Sequence, residues 1–118
     1  MTAQITEPVV QEGEPGPSAQ LRSYMAAVSA LEHMLSTSPA MPDTVDVRVY
    51  SFAPASPSLH LHCDSVADVE AFGQHFGANV TSRPHRNDPD SRIYTSAVGE
   101  FLGVPFTAWI LTAPAVAA

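Results

Sequence analysis

At 118 residues the chain is long enough for one domain whose apolar core needs no disulfide or metal staple. Its composition, 45% hydrophobic and 14% charged, excludes a disordered chain and is light in charge for a monomer surface, so a partner is expected to cover part of it. The net charge of -7, with five basic residues that are all arginine, excludes binding of nucleic acid through a broad positive surface.

The one cysteine, Cys63, can form no internal disulfide. Residues 1–17 have neither a basic leader nor an apolar one, and no apolar run approaches the roughly 18 residues that span a bilayer. A cytoplasmic protein without membrane contact is the expectation.

Residues 1–17 carry Glu7, Glu12 and Glu14 among Pro8, Gly13, Pro15, Gly16 and Pro17, a composition that cannot offset its own ordering entropy. They read as a disordered acidic tail ahead of a single domain over 18–113, with a flexible end at 114–118. Leu21, Tyr24, Met25, Val28, Leu31 and Leu35 then recur at helical spacing and predict a first helix over about 18–36, with those residues as its buried face and Met34 at the margin. Pro39 ends it.

Val45, Val47 and Val49 alternate with Asp46, Arg48 and Tyr50, which predicts a strand to about Phe52. Ala53-Pro54-Ala55-Ser56-Pro57 reads as the connection to a second, antiparallel strand. There Leu59, Leu61 and Cys63 take one face and His60 and His62 the other. Ser65 and Asp68 have capping-box spacing for a second helix, Val66, Val69, Phe72 and Phe76 form its stripe, and Gly77 suits its left-handed end. Gly73 inside that helix marks close approach to a neighbour.

A short strand over 79–82 and a polar loop over 83–91 lead to strands at about 92–101 and 104–112, turned at Leu102-Gly103. Pro105 argues for a strand start or an edge. The expected architecture is α+β, in the order α-β-β-α-β-β-β, with an antiparallel sheet of about five strands covered on one face by two helices.

Chemistry is sparse. No phosphate loop, GxSxG, HExxH or CxxC occurs, so the expectation is a non-enzymatic protein with no catalytic residue, cofactor or metal. His60, His62, Cys63 and His75 lack the set of four ligands that zinc asks for, since a strand points Cys63 away from both histidines. Arg83, Arg86 and Arg92 could clasp an anion, although Asp88 and Asp90 offset them. Around Phe101–Leu111 both strand faces are apolar, which calls for cover by a helix or by another copy of the chain.

The stretch Ser65-Val66-Ala67-Asp68-Val69-Glu70-Ala71-Phe72, with Gly77, Tyr94 and Gly103-Val104, is similar to small uncharacterised α+β proteins of actinobacteria, streptomycetes above all, and of their phages. The resemblance spans about 59–111 and implies no activity. Two functional readings follow. In the first the chain is a protein-interaction or regulatory module that meets a protein partner or a second copy through Trp109, Phe106, Phe101 and Tyr94. In the second it binds a small ligand or anion on a sheet face lined by His60, His62 and Arg48 with Arg83, Arg86 and Arg92.

Overall fold

Alternating apolar residues build a five-stranded sheet in the computed structural model, which describes residues 16–86 and 90–114. Residues 1–15 of the tail expected over 1–17, the loop residues Asn87, Asp88 and Pro89, and the end at 115–118 lie outside the described residues. The elements are α1 (Gly16–Thr37), β1 (Thr44–Tyr50), β2 (Ala53–His62), α2 (Val66–Phe76), β3 (Asn79–Pro84), β4 (Ile93–Phe101) and β5 (Val104–Thr112). Their α+β order is the one expected, and both helices pack on the same face of the sheet. Helix α1 starts at Gly16, so two residues assigned to the tail belong to the helix.

In space the strands run β1-β2-β5-β4-β3, and one pairing departs from an all-antiparallel sheet. β2 and β5 are parallel, with Leu59 beside Phe106 and His62 beside Trp109. The reason is topological. Helix α2 carries the chain from β2 to β3 at the far edge, and two antiparallel returns bring β5 back into the centre. Pro105 therefore sits at a strand start, opposite Glu100. Both edges of β5 are hydrogen-bonded, which closes that strand's edge to pairing with another copy.

The proline segment expected as a connection is the first half of β2, and the reversal occurs at Ser51-Phe52. Pairing passes from Tyr50 with Ala53 to Arg48 with Ser58, so the ladder is irregular where Pro54 and Pro57 stand, and β5 is met only from Leu59. Prolines sit there because no N–H is asked of them. The Pro54 carbonyl instead accepts from Ser23 Oγ at 2.5 Å, tying β2 to α1.

Helix α1 also sits on the sheet differently from its periodicity. Ser23, Ala27, Ala30 and Met34 form the buried line, whereas Leu21, Tyr24, Met25 and Val28 are exposed and Leu31 and Leu35 are partly buried. Small residues let the helix lie close to β2. Its apolar arc is wider than the sheet can cover, and periodicity locates the arc without choosing the part that is buried.

The core joins Ala27, Ala30 and Met34 to Leu59, Leu61 and Cys63 of β2, Val69 and Phe72 of α2, Ala97 of β4, and Val104, Phe106, Ala108 and Ile110 of β5. Each large side chain so buried contributes about 1.5 to 3 kcal/mol. Helix α2 matches its caps: Ser65 accepts from the Asp68 N–H at 3.1 Å and Gly77 takes φ 68°. Gly73 marks the close approach expected, since a Cβ there would overlap Val80 Cγ2.

The turn between β4 and β5 is where expected, but Leu102 shares its left-handed backbone, with φ 52° beside 80° at Gly103. A leucine is disfavoured there, and its side chain is 64% exposed. Leu102→Asn is expected to raise stability by about 0.5 to 1 kcal/mol, read as a higher urea midpoint with an unchanged slope.

Candidate functional site

Helices cover one face of the sheet and leave the other uncovered, and strand alternation decides which side chains reach it. From β1 come Asp46 and Arg48; from β2, Ser58, His60 and His62; from β5, Thr107, Trp109 and Leu111; from β4, Tyr94, Ser96 and Val98; and from β3, Thr81 and Arg83. The pairings His62 with Trp109, Tyr94 with Leu111 and Arg83 with Tyr94 make one continuous surface.

Trp109 is its centre. Its ring lies 4.7 Å from that of His62, edge-on, and 6.1 Å from that of Tyr94. The Arg83 guanidinium sits 5.3 Å above the Tyr94 ring in cation-π geometry, and the His85 ring lies 6.4 Å from the same tyrosine. His62 Nδ1 approaches Asp43 Oδ2 at 3.4 Å, which steadies the ring against the indole.

A concavity of about 330 Å³ lies between Arg48, His60, His85, Tyr94, Trp109 and Leu111. A second, of about 390 Å³, is bordered by His85, Arg86, Asp90, Ser91, Arg92 and Leu111. His85 and Leu111 border both, so the two adjoin as one trough from β1 to the loop before β4. That loop is held at its base: His85 N–H donates to the Arg92 carbonyl at 2.8 Å, and Arg86 N–H donates to Ser91 Oγ at 2.6 Å.

His60 Nε2 lies 3.3 Å from Ser58 Oγ. Burial, and then the Arg48 guanidinium, hold its imidazole below the ordinary histidine range, with Asp46 opposing. At neutral pH it is a neutral hydrogen-bonding group, and the arginines carry the permanent positive charge of the trough. Asp46 and Asp90 stand among those arginines, so they work as directed forks more than as a diffuse field.

Of the residues expected to meet a partner, Trp109 and Tyr94 share this face, but Phe106 and Phe101 do not. Phe106 is 1% exposed on the helix side of β5, and the Phe101 ring packs 5.2 Å from Phe76. Both lie on the other side of the pleat. His60, His62, Arg48, Arg83, Arg86 and Arg92, expected to bind a ligand, gather with Trp109 and Tyr94 on or beside the uncovered face. Two expected sets thus merge into one surface. The sequence sets His85 among the loop arginines and Leu111 on the Trp109 face without selecting either as a site residue; continuing the alternation of β3 from Arg83, and of β5 from Trp109, brings each of them into the trough.

Cys63 lies on the helix side, away from His60 and His62, and His75 is on α2. Among the described residues no three His, Cys, Asp or Glu side chains gather to hold a metal ion, and no helix is long and apolar enough to cross a membrane. Comparison of the chain with protein-family models, with curated proteins and with solved structures finds no match.

Proposed function

We propose that the chain is a non-enzymatic binding module of the cytoplasm whose trough takes a small planar anion. The flat ring of the ligand lies against Trp109 and Tyr94, and its acid group is met by Arg86 and Arg92. One observation carries this reading: in a chain of net charge -7, four of the five basic residues, Arg48, Arg83, Arg86 and Arg92, border this surface beside its tryptophan. Guanidinium forks recognise carboxylate and phosphate, and an indole offers a flat face to a ring. A trough this shallow suits a low-affinity ligand or a weakly held group of a larger one.

The sole tryptophan makes the test direct, because its fluorescence reports only this site. Adenosine monophosphate serves as probe, with adenosine and inorganic phosphate as its halves and benzoate as a planar carboxylate. A saturable change is expected with the nucleotide or benzoate, weakened by added salt and about tenfold by Arg92→Gln. Silence with both planar anions to about 1 mM, or an equal response to phosphate alone, overturns the reading.

A further inference from the structure

The line of α1 seated on the sheet leaves Leu21, Met25 and Val28 at 61%, 62% and 49% exposure. At about 100° per residue these side chains lie about 130 to 190° around the helix from the buried line, so they point away from the sheet, and Val28 is the one nearest the β1 side. On that side Gln20 and Tyr24 donate to the Val49 carbonyl at 2.9 and 3.5 Å, whereas Ala19, Arg22, Ser23 and Ala26 face Pro57 and the turn at Leu102. There β1 is an edge strand with no strand beyond it among the described residues. Edge strands are usually guarded by proline, charged side chains, a β-bulge or brevity. Thr44–Tyr50 is seven residues long without proline or lysine, its one irregularity lies near its end between Arg48 and Tyr50, and its charges Asp46 and Arg48 are of opposite sign.

We propose that a second copy of this chain occupies this edge, with β1 pairing antiparallel to β1 of the partner subunit about Val47. The charges choose that register. With the two-fold axis at Val47, Asp46 stands opposite Arg48 of the partner subunit and Arg48 opposite Asp46 of the partner subunit, on the uncovered face. Val45 meets Val49 of the partner subunit on the helix side. Moving the axis to Asp46 or to Arg48 would set that charge against its own copy. Within one chain Arg48 Nη2 already lies 3.3 Å from Asp46 Oδ2 with both side chains solvated, so exchange across the axis needs little rearrangement.

The two-fold axis stands perpendicular to the joined sheet, which puts both α1 helices on one face beside the seam. Tyr24 and Val28, the exposed residues of α1 nearest β1, then flank the seam, and apolar surface of this kind is what a stable contact between copies buries. The interface shares Arg48 with the rim of the trough, whereas the ligand contacts proposed there are Trp109, Tyr94, Arg86 and Arg92. Failure of the interface leaves the ligand reading standing, and the reverse holds too.

Sedimentation equilibrium of the full chain tests it. A species of twice the 12.5 kDa chain mass is expected. Asp46→Arg is expected to weaken association about tenfold, and the double change Asp46→Arg with Arg48→Asp to restore it, because the swapped charges are again self-complementary. Val28→Glu, at an exposed position on the β1 side of α1, is expected to weaken it about tenfold with the circular-dichroism spectrum unchanged. A monomer up to about 100 μM overturns the proposal and leaves the edge to residues 1–15 or to a different protein. So does a dimer indifferent to both variants and lost on Trp109→Ala, since the copies would then meet through the uncovered face.

Discussion

Phe106→Ala is expected to lower the unfolding free energy by about 3 to 5 kcal/mol. Phe106 stands on β5, whose two edges are both paired, and is 1% exposed. Its ring is held from two elements. The Phe76 ring of α2 meets it at 5.9 Å, and Gly99 of β4 lies beneath, where a Cβ would come within 3.2 Å of the Phe106 ring. Removing the ring leaves a cavity between a helix and a strand that is fixed on both sides, so little collapse can offset the lost contacts. A domain of this size has about 5 to 15 kcal/mol in total, and the variant would retain a small part of it. Urea unfolding followed by far-ultraviolet circular dichroism measures the change. A loss under about 1 kcal/mol would mean that the ring does not fill the core as described, and Phe106→Leu, which keeps most of the volume, is expected to lose less than half as much.

Why Phe106 could be mistaken for an interface residue shows what local pattern can decide. Alternation puts Phe106 with Val104, Ala108 and Ile110 and puts Trp109 with Thr107 and Leu111, and the structure keeps both sets intact. Which set faces the helices depends on the long-range crossover that makes β5 central, and no window of a few residues contains that. The same limit explains α1. Leu21, Tyr24, Met25 and Val28 are legible as apolar and helical, but the line that is buried was set by Ala27 and Ala30, whose small size allows close approach to β2. The caps of α2 and the β4–β5 turn were legible at once, since Ser65, Gly77 and Gly103 each stand where their chemistry is required locally, whereas the proline segment drew the β1–β2 turn away from Ser51-Phe52. The candidate site was legible in composition but not in assembly. His60, Trp109 and Arg92 belong to β2, β5 and the loop before β4, and the parallel β2–β5 and antiparallel β4–β5 pairings together bring them side by side.

Cys63 is expected to react with a thiol reagent at pH 8 at least about a hundredfold more slowly in the folded chain than in urea. The residue begins the segment between β2 and α2, where a helix N-terminus could lower a thiol's pKa. The surroundings act the other way. Cys63 is fully buried beside Leu61, its Sγ directed at the Leu61 carbonyl at 3.9 Å and its own N–H donating to the Trp109 carbonyl at 2.9 Å. Burial pushes the thiol up to about 11, the Asp68 carboxylate adds to the rise, and a backbone hydrogen bond at Trp109 opposes it in part. Two units above the ordinary 9.0 leave about a hundredth of the usual thiolate, before access is counted. Such a thiol is a core residue and a poor nucleophile. The sign of the linked pH effect follows. Between 9.0 and about 11 the unfolded chain has released this proton and the folded chain still holds it. Stability from Cys63 is therefore full below that window and is lost as pH rises through it. Denaturation at stepped pH should show the decline, and Cys63→Ala, though less stable overall, should flatten that part of the slope. Rapid labelling of the native chain at pH 8, or a slope in the variant identical to that of the parent, would show that the thiol is open to solvent and that β2 does not seat it in the core.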